Sequence, residues 1–356
     1  MPGAVEGIRR KLEDTGADAF VCYHHPNYRY LSGFTGSLAI LIIARSQAVI
    51  LSDFRYREQI AEQVADFDFV EIKGPPEETV IRRIEELGIL KVAFESAHLT
   101  YQHYAQLRKV NSVELIPTEN WVEELRAIKD DREVELIEKA ASIADATIEK
   151  MADEIRPGTT EQEAANRINE LIRAFGGKKE AFDAIVASGP RSSMPHATSS
   201  ERRIQAGEPI VVDIGAQFDG YHSDLTRTIW LDRMRTPQVL ELYEVVENAQ
   251  AAAIEAIRPE MPCAEIDAIA RNLIAEAGYG EFFGHGLGHG VGLEVHESPI
   301  ISRLGKGNVK PGMVFTVEPG IYIPDVGGIR IEDMILVTDD GCRLITKSAH
   351  RPEITI

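Results

Sequence analysis

The sequence predicts an amino-terminal α/β domain followed by an α+β domain built from two related halves. Three observations carry this. Up to about residue 120, short apolar runs of strand character alternate with helical patterns. Ile155 to Gly176, IRPGTTEQEAANRINELIRAFG, then aligns without gaps on Ile257 to Gly278, IRPEMPCAEIDAIARNLIAEAG, so a helix pair joined at Arg-Pro occurs twice. Each pair precedes a histidine-bearing segment (His196 in SSMPHAT, His296 in LEVHESP) and a strand pair carrying acid-x-Gly, first as Asp213-Ile-Gly215 and then as Glu318-Pro-Gly320.

In the first domain the strand candidates are 17–23, 38–44, 48–53, 67–72, 91–96 and 113–118, with helical patterns at 56–65, 77–87 and 101–110. Its histidines, His24, His25, His98 and His103, have no ligand spacing to nearby acids and read as loop or surface residues. Near Trp121 the pattern changes. From Arg132 to Ile155 one long helix carries a stripe at Ile137, Ala141, Ala144, Ile148, Met151 and Ile155. The expected domains are residues 1–122 and 123–356.

Composition narrows the function. A chain of 356 residues with a net charge of −19 is a poor partner for nucleic acid or an anionic membrane surface. Cys22, Cys263 and Cys342 are too scattered for a disulfide framework or a thiolate metal site and are expected to be buried, reduced thiols. The first residues read as an amphipathic helix rather than a signal peptide, and the longest apolar run, Leu38 to Ala44, is too short to span a bilayer. A cytoplasmic location is expected.

The chemistry sits in two ribbons. In EPIVVDIGAQFDGYHSDLTRTIWL, Glu208 to Leu231, Asp219-Gly220 is a hairpin loop that sets Phe218 against Tyr221, Gly215 against Asp224 and Asp213 against Thr226. One face is core. The other carries Asp213 and Asp224 as diagonal neighbours, with side-chain-free Gly215 expected to leave the gap between them open. In Met313 to Val337, a loop at Pro324 to Gly328 predicts Gly320 opposite Glu332 and Tyr322 opposite Arg330. Phe315, Val317, Ile321, Ile323, Ile329, Ile331 and Ile335 then share one face, and Glu318, Gly320, Arg330 and Glu332 the other. Asp333, next to Glu332, alternates to the opposite face and reads as structural.

An acid in a strand is, taken singly, usually a solvated face. Four of them converging on one cleft carry a formal charge of −4, which two divalent cations balance. A fifth ligand is expected from the glycine-rich Gly284 to Pro299, GHGLGHGVGLEVHESP, which offers His285, His289 and His296. Oxygen and imidazole donors without thiolate suit Mn²⁺ first, with Co²⁺, Fe²⁺ or Zn²⁺ as alternatives.

The ordered set VVDIG, HSDLTRT, GHGVGLEVHE, TVEPG and GIRIED resembles the pita-bread-fold metallopeptidases, and within them the Xaa-Pro peptidases, aminopeptidase P and prolidase. The resemblance covers essentially the whole chain, with NYRYLSGFTGS, Asn27 to Ser37, matching the creatinase-type amino-terminal α/β domain that precedes the pita-bread catalytic domain. It implies that Asp213 chelates one metal, that His289 and Glu318 hold the other, and that Asp224 and Glu332 bridge them. It further implies that His196 and His296 contact the substrate carbonyl or the tetrahedral intermediate, and that Arg330 supports the site or binds substrate. Ala197, where relatives usually have glycine, is a departure that narrows the pocket. A homodimer through the amino-terminal domain is a further implication.

The expected reaction follows. A water shared by two cations ionises near neutral pH, Glu318 is the base and proton shuttle, and a histidine delivers or orients the proton that the tertiary amide nitrogen of proline must gain on leaving. Short peptides with proline second are the expected substrates of an Xaa-Pro aminopeptidase. A strict Xaa-Pro dipeptidase (prolidase) shares the metal site and is the alternative. A metal-free creatinase-type amidinohydrolase and a non-catalytic, histone- or peptide-binding pita-bread protein are remote, because both lose metal ligands and all five positions are filled here.

Overall fold

A computed structural model describes residues 2–109 and 113–355. The chain divides into two compact units, Met1–Arg126 and Ala127–Ile356. The division falls a few residues beyond the expected 122 because the short helix Glu123–Arg126 is tied into the first unit. Buried Arg126 donates to Asn27 Oδ1 at 2.7 Å, and Asn27 Nδ2 donates to Glu123 at 2.6 Å.

The first unit is a six-stranded sheet covered on both faces. The expected strands form as β1 (Ala19–Cys22), β2 (Ile40–Ala44), β3 (Ala48–Ser52), β4 (Asp68–Glu71), β5 (Lys91–Glu95) and β6 (Glu114–Thr118), ordered β4-β3-β2-β1-β5-β6. β1, β5 and β6 run parallel. Alternation sends Phe20, Leu41, Ile43 and Ile50 under the helix α1 (Pro2–Thr15), and Val21, Ile40, Ile42 and Val49 towards Val80 and Ile84 of another helix, Pro76–Glu86. The helix expected over 101–110 is observed as Tyr101–Leu107, and Val110 lies outside the described residues. A short helix not marked in the sequence, His25–Ser32, is started by Pro26 and ended by Gly33 at φ 77°.

The second unit repeats one plan. Helices α2 (Asp131–Glu154) and α3 (Glu161–Ala174) pair, as do α4 (Pro237–Ala256) and α5 (Cys263–Glu276), at matching places in the two aligned segments. The predicted stripe on α2 is buried throughout. Thr160 and Glu163 form a capping box at the start of α3, with Glu163 N donating to Thr160 Oγ1 at 3.0 Å and Thr160 N to Glu163 Oε2 at 2.7 Å.

Each helix pair covers one face of a sheet. In the first half, β7 (Ile185–Ser188), β8 (Ile210–Ile214) and β9 (Leu225–Leu231) bury Val212, Ile214, Leu225 and Ile229 against Ile148 and Ile168. In the second, β10 (Gly288–Gly290), β11 (Glu297–Ile301), β12 (Val314–Val317) and β13 (Asp333–Val337) place Phe315, Val317 and Ile335 against Leu242, Val246 and Ile266. Cys22 and Cys263 are buried free thiols, as expected, while Cys342 is only partly covered. No helix among the described residues is long and apolar enough to cross a membrane.

The first ribbon has the predicted register, with Phe218 against Tyr221 and Asp213 against Thr226. Gly215 is required for a different reason than expected. A Cβ there would lie 2.2 Å from the Ser223 carbonyl oxygen, so its bareness lets two chains close on each other rather than leaving a gap for ions.

The second ribbon departs from the expected register by two residues. Gly320 pairs with Arg330, and Tyr322 with Gly328, not with Glu332 and Arg330. The loop is shorter than expected, Pro324 to Val326, and Asp325 closes it at φ 64°. A two-residue slip preserves parity, so the acids keep their face. Thr316 pairs with Met334 further along, and that register carried onward sets Glu318 directly opposite Glu332 instead of diagonal to it.

Thr160→Ala removes the capping interaction and is expected to lower unfolding free energy by about 1 kcal/mol, read as a shifted urea midpoint at unchanged slope.

Candidate active site

The polar faces of the two ribbons meet. Glu332 N donates to the Thr226 carbonyl at 3.1 Å, and Arg330 N to Thr228 Oγ1 at 3.0 Å, so the first half's β9 is joined to the second half along the acid-bearing edge. Asp213, Asp224, His289, Glu318, Arg330 and Glu332 all line one cavity of about 470 Å³, within the range of small-ligand sites. His196, His285 and His296 line it too, with His196 and His296 exposed at its mouth.

Asp224, His289 and Glu332 each place a ligand atom within 4.8 Å of the others. His289 Nε2 lies 3.6 Å from Asp224 Oδ2 and 3.4 Å from Glu318 Oε1. Its Nδ1 faces the Gly290 carbonyl at 3.1 Å, and because a carbonyl only accepts, that contact places the proton on Nδ1 and turns the Nε2 lone pair towards the acids. Burial and the neighbouring His296 lower the His289 pKa to about 4, keeping the ring neutral.

The acids are held under strain of charge. Burial, reinforced by their acidic neighbours, drives Asp224 and Glu332 well above the ordinary carboxylate range, and burial lifts Glu318 to about 7. Thr226 Oγ1 donates to Glu332 Oε2 at 2.6 Å, and Thr316 Oγ1 to Glu318 Oε1 at 3.2 Å. Asp213 Oδ2 accepts from Arg330 at 2.5 Å, while its buried Oδ1 has no protein partner. An orphaned carboxylate oxygen, a lone pair aimed at two acids and a donor set of oxygen and nitrogen fit divalent cations. The residues that could hold them are Asp213, Asp224, His289, Glu318 and Glu332.

His285 instead faces Tyr322, its Nε2 3.0 Å from the Oη, while His289 is the ring whose Nε2 faces the acids. Tyr322 is the residue the sequence reading left without a role. Arg330 Nη1 donates to its hydroxyl at 2.9 Å and to the Pro195 carbonyl at 3.1 Å, which fixes the guanidinium against Asp213 and beside the His196 loop. Parity was the available signal, because Tyr322 shares a face with Glu318 and Gly320. Gly328 opposite it must be bare, as a Cβ there would lie 2.1 Å from the Ser192 carbonyl oxygen and 2.8 Å from the Tyr322 ring.

Asp333 points away, as alternation predicted. Burial would raise its pKa, yet hydrogen bonding to His350 at 2.9 Å and to Arg227 at 2.7 Å holds it below the usual value. Arg227 also donates to the Glu332 carbonyl at 2.6 Å, so this buried pair anchors the backbone of a candidate ligand.

Fold and site define a metallopeptidase with a two-domain plan. Residues 135–339 match the model of metallopeptidase family M24, and residues 5–128 that of the creatinase/prolidase N-terminal domain. The chain belongs to family M24, with a creatinase-type domain ahead of a pita-bread catalytic domain. It is 39% identical to an Xaa-Pro dipeptidase of Pyrococcus horikoshii, covering 98% of both chains. Among solved structures it is similar to an Xaa-Pro dipeptidase from Bacillus anthracis (40% identity, TM-score 0.96, 99% of both chains). It is also similar to an X-Pro aminopeptidase from Thermotoga maritima (34% identity, TM-score 0.89, 96% of this chain and 98% of that one).

The raised acids bind protons more tightly in the fold than in the unfolded chain. Without metal, their contribution to stability is complete below the ordinary carboxylate pKa and is lost as pH rises through their raised values, near 7 for Glu318. Cations need the deprotonated forms, so the gain in Tm from Mn²⁺ over EDTA is expected to grow between about pH 5 and about pH 8. A pH-independent gain in a thermal melt would contradict this.

Proposed function

We propose that this protein hydrolyses the Xaa-Pro bond of dipeptides, using two divalent metal ions, Mn²⁺ foremost, held by Asp213, Asp224, His289, Glu318 and Glu332. The observation that carries the reading is the convergence of these five side chains on one cavity. The full-length similarity to Xaa-Pro dipeptidases supports the substrate and ranks the dipeptidase reading above the aminopeptidase one that the sequence alone put first. The similarity to an X-Pro aminopeptidase keeps the longer substrate as the second reading.

Bound cations would supply a nucleophilic water near neutral pH and polarise the scissile carbonyl. The protein's residues do the rest. Glu318 lines the cavity with Oε1 3.4 Å from His289 Nε2, placed to take a proton from the attacking water and pass it on. His289, neutral and fixed in one tautomer, offers a lone pair without competing for that proton. Arg330, braced by Tyr322 and paired with Asp213, orients that carboxylate. Exposed His196 and His296 at the cavity mouth can meet the substrate carbonyl, and proline nitrogen leaves once a proton reaches it. A homodimer is part of the proposal.

Metal-loaded protein is expected to release proline from Xaa-Pro dipeptides much faster than it cleaves Xaa-Pro-Yaa tripeptides. Equal or preferential tripeptide cleavage would establish the aminopeptidase reading instead, and no cleavage of either would end both. Glu318→Gln is expected to lower kcat by about 10²- to 10⁴-fold in the same assay, with the cavity's remaining ligands intact.

A further inference from the structure

The amino-terminal unit gathers its own cluster of ligating groups. β1, β5 and β6 are parallel, and their carboxyl ends share the edge at which open α/β sheets place ligands. His24 follows β1, Glu95 ends β5 with His98 just beyond it, and Glu123 begins the helix after β6.

His24 and His98 lie in loops, one of the two places the sequence suggested for them, but neither is fully exposed. His24, His98 and Glu123 are all half-buried, and each places a ligand atom within 4.8 Å of the others. His98 Nε2 lies 3.0 Å from Glu123 Oε1, and the two imidazoles stack with centroids 3.6 Å apart.

The cluster is braced from behind. Asn27 Nδ2 donates to Glu123 Oε1 at 2.6 Å and to Glu95 Oε1 at 2.7 Å, and Arg126 Nη1 donates to the Asn27 side-chain Oδ1 at 2.7 Å. The amides of Tyr23 and His24 donate to Glu95 Oε2 at 2.7 and 3.1 Å, fixing the start of the loop that carries His24. Outer hydrogen bonds that hold a carboxylate and position a ligand loop are a recurrent part of metal sites.

We propose that His24, His98 and Glu123 bind one divalent transition-metal ion, Zn²⁺ foremost, independently of the carboxylate centre. Two imidazoles and one carboxylate form a three-ligand zinc set that leaves a fourth position for water or another ligand. Parallel rings do not aim their nitrogens at one point, so binding turns one imidazole about its Cβ–Cγ bond, a broad and soft torsion.

The test uses the full chain with its catalytic centre disabled by Asp224→Ala and Glu332→Ala, loaded with Zn²⁺, desalted and analysed by elemental mass spectrometry. About one zinc per chain is expected, falling to background when His24→Gln and His98→Gln are added. Background zinc before that addition, or equal zinc after it, overturns the proposal. Should the disabled chain fail to fold, the two histidine substitutions go into the otherwise native chain. There the metal content is expected to drop by one equivalent and the Co²⁺ visible spectrum to lose one component. An unchanged content overturns the site.

Discussion

Carboxylates forced together out of water are the constraint on which the catalytic unit is built. Among the described residues, Asp213 alone of the four has a guanidinium against it, 2.5 Å from Arg330. Asp224, Glu318 and Glu332 are raised by burial, and the hydroxyls of Thr226 and Thr316 offer single hydrogen bonds, not charge. Removing an ionised acid from water costs several kcal/mol unless an opposite charge or a proton compensates. The fold holds such a site only because the ribbons that carry the acids are locked to helix-backed sheets.

The two halves share a plan but do not contribute equally. In the first ribbon Asp213 faces Thr226, so Asp213 and Asp224 are offset. In the second, the shorter loop puts Arg330 against Gly320, and the registers on either side, carried onward, set Glu318 opposite Glu332. His289 enters only from the second half, on β10. The candidate ligand set is therefore uneven, with one carboxylate paired to arginine and one neutral imidazole.

Support for the candidate ligands comes from a layer of residues that are not themselves candidates. Arg227 holds the Glu332 carbonyl with one nitrogen and Asp333 with another, while Asp333 also accepts from Thr346 at 2.7 Å and Gln250 at 3.1 Å. Asp145 on α2 accepts from the amides of Lys347 and Ser348 at 2.9 Å each, tying the end of the chain to the first helix pair. A buried ion pair of this kind is seldom a large net source of stability, but losing one partner leaves a stranded charge. Its effect here is to fix the backbone at Glu332, just ahead of β13.

Period-two alternation and the Arg-Pro repeat determined a great deal from sequence alone: six strands in the first unit, paired helices in the second, and the face on which Asp213, Asp224, Glu318 and Glu332 lie. These are local rules, and a register error of two residues leaves them intact. Which histidine turns to the acids, the bracing of Arg330 by Tyr322 and the clash that demands Gly215 were decided by the tertiary structure. So was the meeting of His24, His98 and Glu123. Each depends on distances between segments far apart in the chain, which loop length and packing set and which no spacing along the sequence encodes.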